Sequence, residues 1–287
     1  MNSQEVPPEL GALLASLTEL APSNDVSMVI AAAIAARSAT PVQPPPADNE
    51  VAAFARAVED VQRTLALLTA DDWTRPAVNG LDVGELVGHL IGTQLAMAAE
   101  LGLCTPTSTS SDHIEATREA IVAASAGSPR EAADEFARIS AVVTNHLADL
   151  DEVGLAGPAR FGPVMADVKF LLIARVFELW THDNDLRQVV GLCRREPDPE
   201  RLWMMTRAVM PLVHLIGGDG IRFVLTGAGG GVWPAPGDEI AEVTVDSVAF
   251  CRRVANRLPV DELHADISGD SATANVTLLT LAALALD

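Results

Sequence analysis

Arg175-Val-Phe-Glu178-Leu-Trp-Thr-His182-Asp-Asn-Asp185-Leu-Arg-Gln-Val-Val-Gly191 is the stretch on which the fold turns. It continues an apolar series, Val164, Val168, Leu171, Leu172, Val176 and Leu179, whose steps of mostly three and four residues mark a helix with one apolar stripe. Pro163 suits the opening and Gly191 a left-handed cap, so the spacing predicts one long helix over 163–191. Within it, Glu178 and His182 lie four residues apart, hence on one face and close enough to share a ligand. On spacing alone such a pair reads first as a solvated hydrogen bond. The apolar setting of Glu178 favours a position facing a bundle interior, where a lone acid requires a partner.

Working outward, Asp82 followed by Glu85 is a capping-box variant that opens a helix to about Leu101. His89 falls in its second turn, amid Leu86, Val87, Leu90 and Ile91. Periodicity alone favours a core histidine satisfied by a carbonyl or an acid, with a metal ligand as the alternative. Residues 51–70 carry Val51, Phe54, Val58, Val61, Leu65 and Leu68 at helical spacing. Further helices are expected over 112–125 and 129–150, the latter opened by Ser128-Pro129. Four long amphipathic helices bury their stripes together as a bundle, and bundle cores assemble metal sites from facing helices.

The pattern changes after Gly217-Gly218, which ends a helix expected over 198–216 and interrupted at Pro211. Ile221, Phe223 and Leu225 alternate with Arg222, Val224 and Thr226, and Glu239 to Val245 is a second strand-like run. A helix over 246–257, a strand near 263–267 and a helix over 271–286 complete a small α+β unit. Upstream, short helices are expected over 7–21 and 26–37, and Pro41-Val-Gln-Pro-Pro-Pro-Ala47 reads as an extended linker. The domains expected are therefore an extension over 1–48, a helical bundle over 49–195 and a C-terminal α+β domain over 196–287. No candidate ligand falls in the extension, so it should be dispensable for a metal site.

The chain has 287 residues and a net charge of −20, and Lys169 is its single lysine. Such a field repels phosphate backbones and anionic headgroups, which argues against nucleic acid and membrane partners. Cys104, Cys193 and Cys251 are widely spaced and odd in number, fitting reduced thiols in a cytosol rather than a disulfide framework. No signal peptide or anchor is read, and a cytoplasmic location is expected.

Two blocks carry a resemblance. Trp73-Thr-Arg-Pro with Leu81-Asp-Val-Gly-Glu-Leu-Val-Gly-His89-Leu-Ile-Gly92, and the block from Arg175 to Gly191, resemble the signature segments of the mycothiol-dependent maleylpyruvate isomerase family. Ile221 to Gly227, Gly229-Gly-Gly-Val-Trp233, Asp246-Ser-Val, Arg257 and Gly269-Asp270 are similar to that family's second domain. The resemblance spans about residues 50–287. It implies an α+β architecture, a DinB-like four-helix bundle followed by a small sterol-carrier-like domain, and a zinc ion held by His89, Glu178 and His182.

It also implies an enzyme, an isomerase or S-transferase whose co-substrate is mycothiol or a related low-molecular-weight thiol. Three protein ligands leave zinc one open position, the catalytic arrangement. A thiolate formed there would add to the conjugated double bond of a maleyl-type substrate, allow rotation and then be eliminated, or would displace a leaving group. The expected partners are that thiol and a small-molecule substrate, and a homodimer is compatible with them. Asp185 is read as orienting a ligand or, near the helix end, meeting a nearby cation, against a solvated acid. Arg175 neutralises Glu178 or meets an acidic substrate, against a surface ion pair. Arg257 is a candidate for reaching into the site. A binding module without catalysis and a zinc hydrolase stand as alternatives. Gly227-Ala-Gly-Gly-Gly231 reads as a hairpin turn, Cys193 as a plain loop cysteine, and His113, His146, His214 and His264 are assigned no role.

Overall fold

The computed structural model describes residues 49–106, 108, 110, 113–161 and 164–285. The helices expected over 7–21 and 26–37 and the proline linker lie outside the described residues. Four helices form the bundle: α1 (Glu50–Leu65), α2 (Val83–Glu100), α5 (Pro129–Ala148) and α6 (Val168–Val189). Two shorter ones, α3 (His113–Ala116) and α4 (Arg118–Ala126), lie between α2 and α5. The caps are those the sequence advertises. Asp82 and Glu85 exchange reciprocal bonds at the head of α2, and Ser128 and Glu131 do so at α5.

Helix α1 packs on α6 and α5, while α2 packs on α4 and α5. Phe54, Leu86, Leu90, Phe136, Leu171 and Leu172 are fully buried between them. Each such side chain contributes roughly 1.5–3 kcal/mol on burial. A polar network ties the helices further. Thr64 donates to Asp183 at 2.5 Å, Arg195 bonds Asp183 at 3.0 Å and the Asp60 carbonyl at 2.8 Å, and Arg201 bonds Asp60 at 2.8 Å.

Three local expectations are corrected. The helix expected from 163 begins at Val168, because Pro158–Phe161 (β3) and Val164–Asp167 (β4) pair as an antiparallel hairpin. Asp167 then caps α6 by accepting from the Phe170 N–H at 2.7 Å. Val164 and Met165 fit a helical stripe or a strand equally well, and the Asp167 cap decides between them. The helix expected over 112–125 divides at Thr117 into α3 and α4. The interruption expected at Pro211 does not occur: Pro211 lies inside α7 (Pro199–Val213), and the chain departs from α geometry only at the π-turn His214–Gly218. A further hairpin, β1 (Pro76–Val78) with β2 (Leu81–Asp82), precedes α2.

The C-terminal part is a four-stranded sheet in the order β6-β5-β7-β8, formed by β5 (Ile221–Thr226), β6 (Gly231–Trp233), β7 (Ala241–Asp246) and β8 (Ala265–Gly269). Only β5 and β7 run parallel. The alternation seen in sequence becomes a buried face, with Ile221, Phe223, Leu225, Val243 and Val245 inside. Gly227 and Gly229, both at positive φ, turn the chain from β5 into β6. Helices α8 (Ser247–Val254) and α9 (Ser271–Thr280) lie beside the sheet, and α7 packs on both α6 and α8. Helix α7 thus joins the sheet domain to the side of the bundle that carries Glu178 and His182. No helix among the described residues is long and apolar enough to cross a membrane.

Candidate metal centre

Helix α2 delivers His89 to the bundle interior with no exposed surface. Its approach depends on two glycines. A Cβ on Gly88 would lie 2.5 Å from Ile121 Cα, and one on Gly92 would lie 2.5 Å from Thr117 Cβ. Their absence lets the Thr117–Ile121 segment settle against α2, which brings the Thr117 hydroxyl to 2.9 Å from His89 Nδ1. That hydroxyl donates its one proton to the Ile114 carbonyl at 2.9 Å, so toward His89 it accepts. His89 therefore carries its proton on Nδ1. Burial holds the imidazole below its ordinary pKa, against the raising influence of Glu178, and Nε2 is left as a bare lone pair.

Nε2 of His89 lies 3.3 Å from Glu178 Oε1 and has no hydrogen-bond partner. A lone pair facing a carboxylate oxygen inside a protein is repulsive unless a cation lies between them. His182, one turn beyond Glu178 on α6, donates from Nδ1 to Asp185 Oδ2 at 3.0 Å. Ligand atoms of His89, Glu178 and His182 lie within 4.8 Å of one another. Two imidazoles and a carboxylate in this geometry suit a divalent cation, and each histidine has its other nitrogen fixed by a partner, as metal-binding histidines do.

The surrounding charges are organised around this set. Burial pushes the Glu178 carboxyl upward, but Arg175, His113 and His89 outweigh it and hold Glu178 well below the usual carboxylate range. Arg175 bonds Glu178 Oε2 directly. Asp185 is buried, which raises its pKa, yet the bonds from His182 and Arg257 prevail and lower it. Arg257 comes from the loop after α8, so its guanidinium brings the C-terminal domain into the network behind His182.

Residues 54–187 match the model of the mycothiol maleylpyruvate isomerase N-terminal domain. This segment belongs to that family. Two solved structures, a mycothiol-dependent maleylpyruvate isomerase and a variant of it with one histidine changed to alanine, match 76% of this chain and 91% of their own. Their identity to it is 18%, with TM-scores of 0.56 and 0.57. At that identity the likeness is one of fold: a helical domain followed by a small sheet domain. No curated protein matches the chain.

In this mycothiol maleylpyruvate isomerase domain the cluster holds a fourth side chain to which the sequence assigned nothing. His113 Nε2 lies 2.8 Å from Glu178 Oε1, and its ring meets that of His89 edge-on at 4.9 Å. It stands on its own short helix, so no spacing links it to the triad. Thr117 was equally invisible, although Gly88 and Gly92 on either side of His89 were a legible sign that another segment comes close there. The cluster opens on a cavity of about 120 Å³ between α6, α7 and the end of α8. His113, Glu178 and His182 line it together with Ile173, Met205 and Val209.

Proposed function

We propose that the chain is a zinc-dependent enzyme that uses a low-molecular-weight thiol of the mycothiol type to isomerise a small electrophilic substrate or transfer sulfur to it. The observation that carries this reading is the bare Nε2 of His89 set 3.3 Å from the Glu178 carboxylate, with His182 beside them. His89, Glu178 and His182 would hold the ion. When bound, zinc supplies a Lewis acid with one open position that lowers the pKa of a thiol and keeps its thiolate at neutral pH. Family membership of residues 54–187 supports the choice of a thiol over water as the reacting ligand.

The protein's own residues prepare the site. Thr117 and Asp185 fix the two imidazole tautomers, so that neither ring must reorient to present its lone pair. Arg175 keeps Glu178 ionised and in place. Arg257 holds Asp185 in place. His113 lines the cavity, 19% exposed at its side chain, and can pass a proton between an entering thiol and solvent. In this division of labour residues 49–195 carry the metal and residues 196–287 supply Arg257 and one wall of the cavity. A reducing cytosol suits both the thiol and the three free cysteines.

Metal analysis of purified protein tests the reading, with one zinc per chain expected and a loss of it in His89→Ala and His182→Ala. Cobalt substitution tests the thiol: a sulfur-to-metal charge-transfer band in the near ultraviolet should grow as thiol is added. Iron in place of zinc, or full metal loading with no such band, would overturn the proposal.

A further inference from the structure

The cavity beside the triad has a chemistry of its own. Its walls, away from His113, Glu178 and His182, are built from side chains such as Phe170, Ile173, Phe177, Met205, Val209 and Leu212. No lysine or arginine lines it among the described residues. Two guanidiniums that support the triad are committed elsewhere, Arg175 to Glu178 and Arg257 to Asp185. At the 10–15 Å³ that one water needs, about 120 Å³ gives room for roughly eight to twelve heavy atoms.

A small dicarboxylate fits this volume but not these walls. Its carboxylates would leave water for a surface offering no cation and few donors, beside Glu178 and inside a chain of net charge −20. Ligation through the metal could answer one negative charge but not a second. A hydrocarbon body of the same length loses no hydrogen bonds on entry and gains contacts along α6 and α7.

We propose that the electrophile served by this centre is neutral and carries an apolar body of about six to ten carbons, which the cavity holds while the reactive carbon faces the triad. This rests on the functional reading above for the chemistry but not for the binding, which the walls decide alone. The substrate class is therefore hydrophobic enones, epoxides or similar electrophiles, in place of maleyl-type dicarboxylates.

The test compares two unreactive or slowly reacting probes of similar size, octan-2-one and maleate, binding to the full chain by calorimetry with and without zinc. Octan-2-one should bind at least tenfold more tightly than maleate in both forms. Ala208→Trp fills the cavity from α7 and should weaken octan-2-one at least tenfold with metal content unchanged. Leu212→Lys places a cation in the wall and should shift preference toward maleate. Circular dichroism establishes that each variant is folded, and the second serves if the first is not. Equal or tighter binding of maleate by the native chain, or octan-2-one affinity unmoved by the folded variants, overturns the proposal. Absence of zinc with octan-2-one binding intact would overturn the catalytic reading and leave this one standing.

Discussion

Arg257, from the sheet domain, holds Asp185 of the bundle through Nε at 2.9 Å and Nη2 at 3.0 Å, and Asp185 in turn receives His182 Nδ1–H at 3.0 Å. One carboxylate thus links the two parts of the chain and fixes the orientation of a proposed ligand. The linkage has energetic content because Asp185 and His182 are both buried. Removing either neighbour leaves a carboxylate in the interior without its full set of donors.

Asp185→Asn should keep the shape but weaken the hold on His182, lowering zinc affinity by about 10- to 100-fold, as for other outer partners of metal-bound histidines. Arg257→Ala should destabilise the fold by about 3 kcal/mol, because it strands the Asp185 charge. Competition with a chelator reads the first, and urea unfolding the second. Unchanged zinc affinity in Asp185→Asn would show that the His182 ring is held by packing alone.

Thr117→Val tests the tautomer of His89. The substitution preserves volume and removes the acceptor for Nδ1–H, leaving a buried donor unsatisfied at about 1–3 kcal/mol. The imidazole is then free to place its proton on Nε2, and zinc binding should weaken by roughly 10-fold. Nuclear magnetic resonance of the ring nitrogens distinguishes the tautomers directly.

Gly88→Ala should cost about 1–3 kcal/mol, since its new methyl would press on the Ile121 backbone at 2.5 Å and force α4 away from α2. Gly102→Ala is a useful contrast: it too is strained, but by its positive φ in open space. Only Gly88→Ala should also reduce zinc affinity, because Thr117 moves with α4. Loss of metal affinity in both variants would argue that the effect is general unfolding.

His214, half-buried beside Phe223 near the sheet, supplies a pH dependence away from the triad. Burial keeps its pKa below the ordinary value, against smaller raising influences from Ile221 and Asp219. The unfolded chain takes up a proton near pH 6.5 that the folded chain resists. Stability should accordingly fall as pH drops below about 6.5, down to the folded pKa, and be unaffected by this group at higher pH. Urea midpoints at pH 7.5 and 5.5 should diverge more in the native chain than in His214→Gln. Equal divergence would assign the dependence to other groups, His89 among them.

Much of this was legible in the residues alone. Amphipathic spacing and caps such as Asp82 with Glu85 gave the bundle helices, because local hydrogen bonds and a one-sided apolar stripe are properties of contiguous sequence. Strand alternation gave the buried face of β5 and β7 for the same reason. Glu178 and His182 share a face by helical geometry, so their proximity could be read, whereas their joining with His89 rested on resemblance. The starts and ends of α6 and α7 could not be read so well, since Val164 suits strand and helix alike and Pro211 is tolerated inside a packed helix. His113, Thr117 and the Arg257–Asp185 bond are products of tertiary structure only. They lie on separate elements, brought together by the close approach that Gly88 and Gly92 permit and by the docking of α7 between bundle and sheet. The apolar lining of the cavity was decided there too, because a stripe of Ile173, Met205 and Val209 looks in sequence like any core face, and only packing determines which parts of it are left uncovered beside the site.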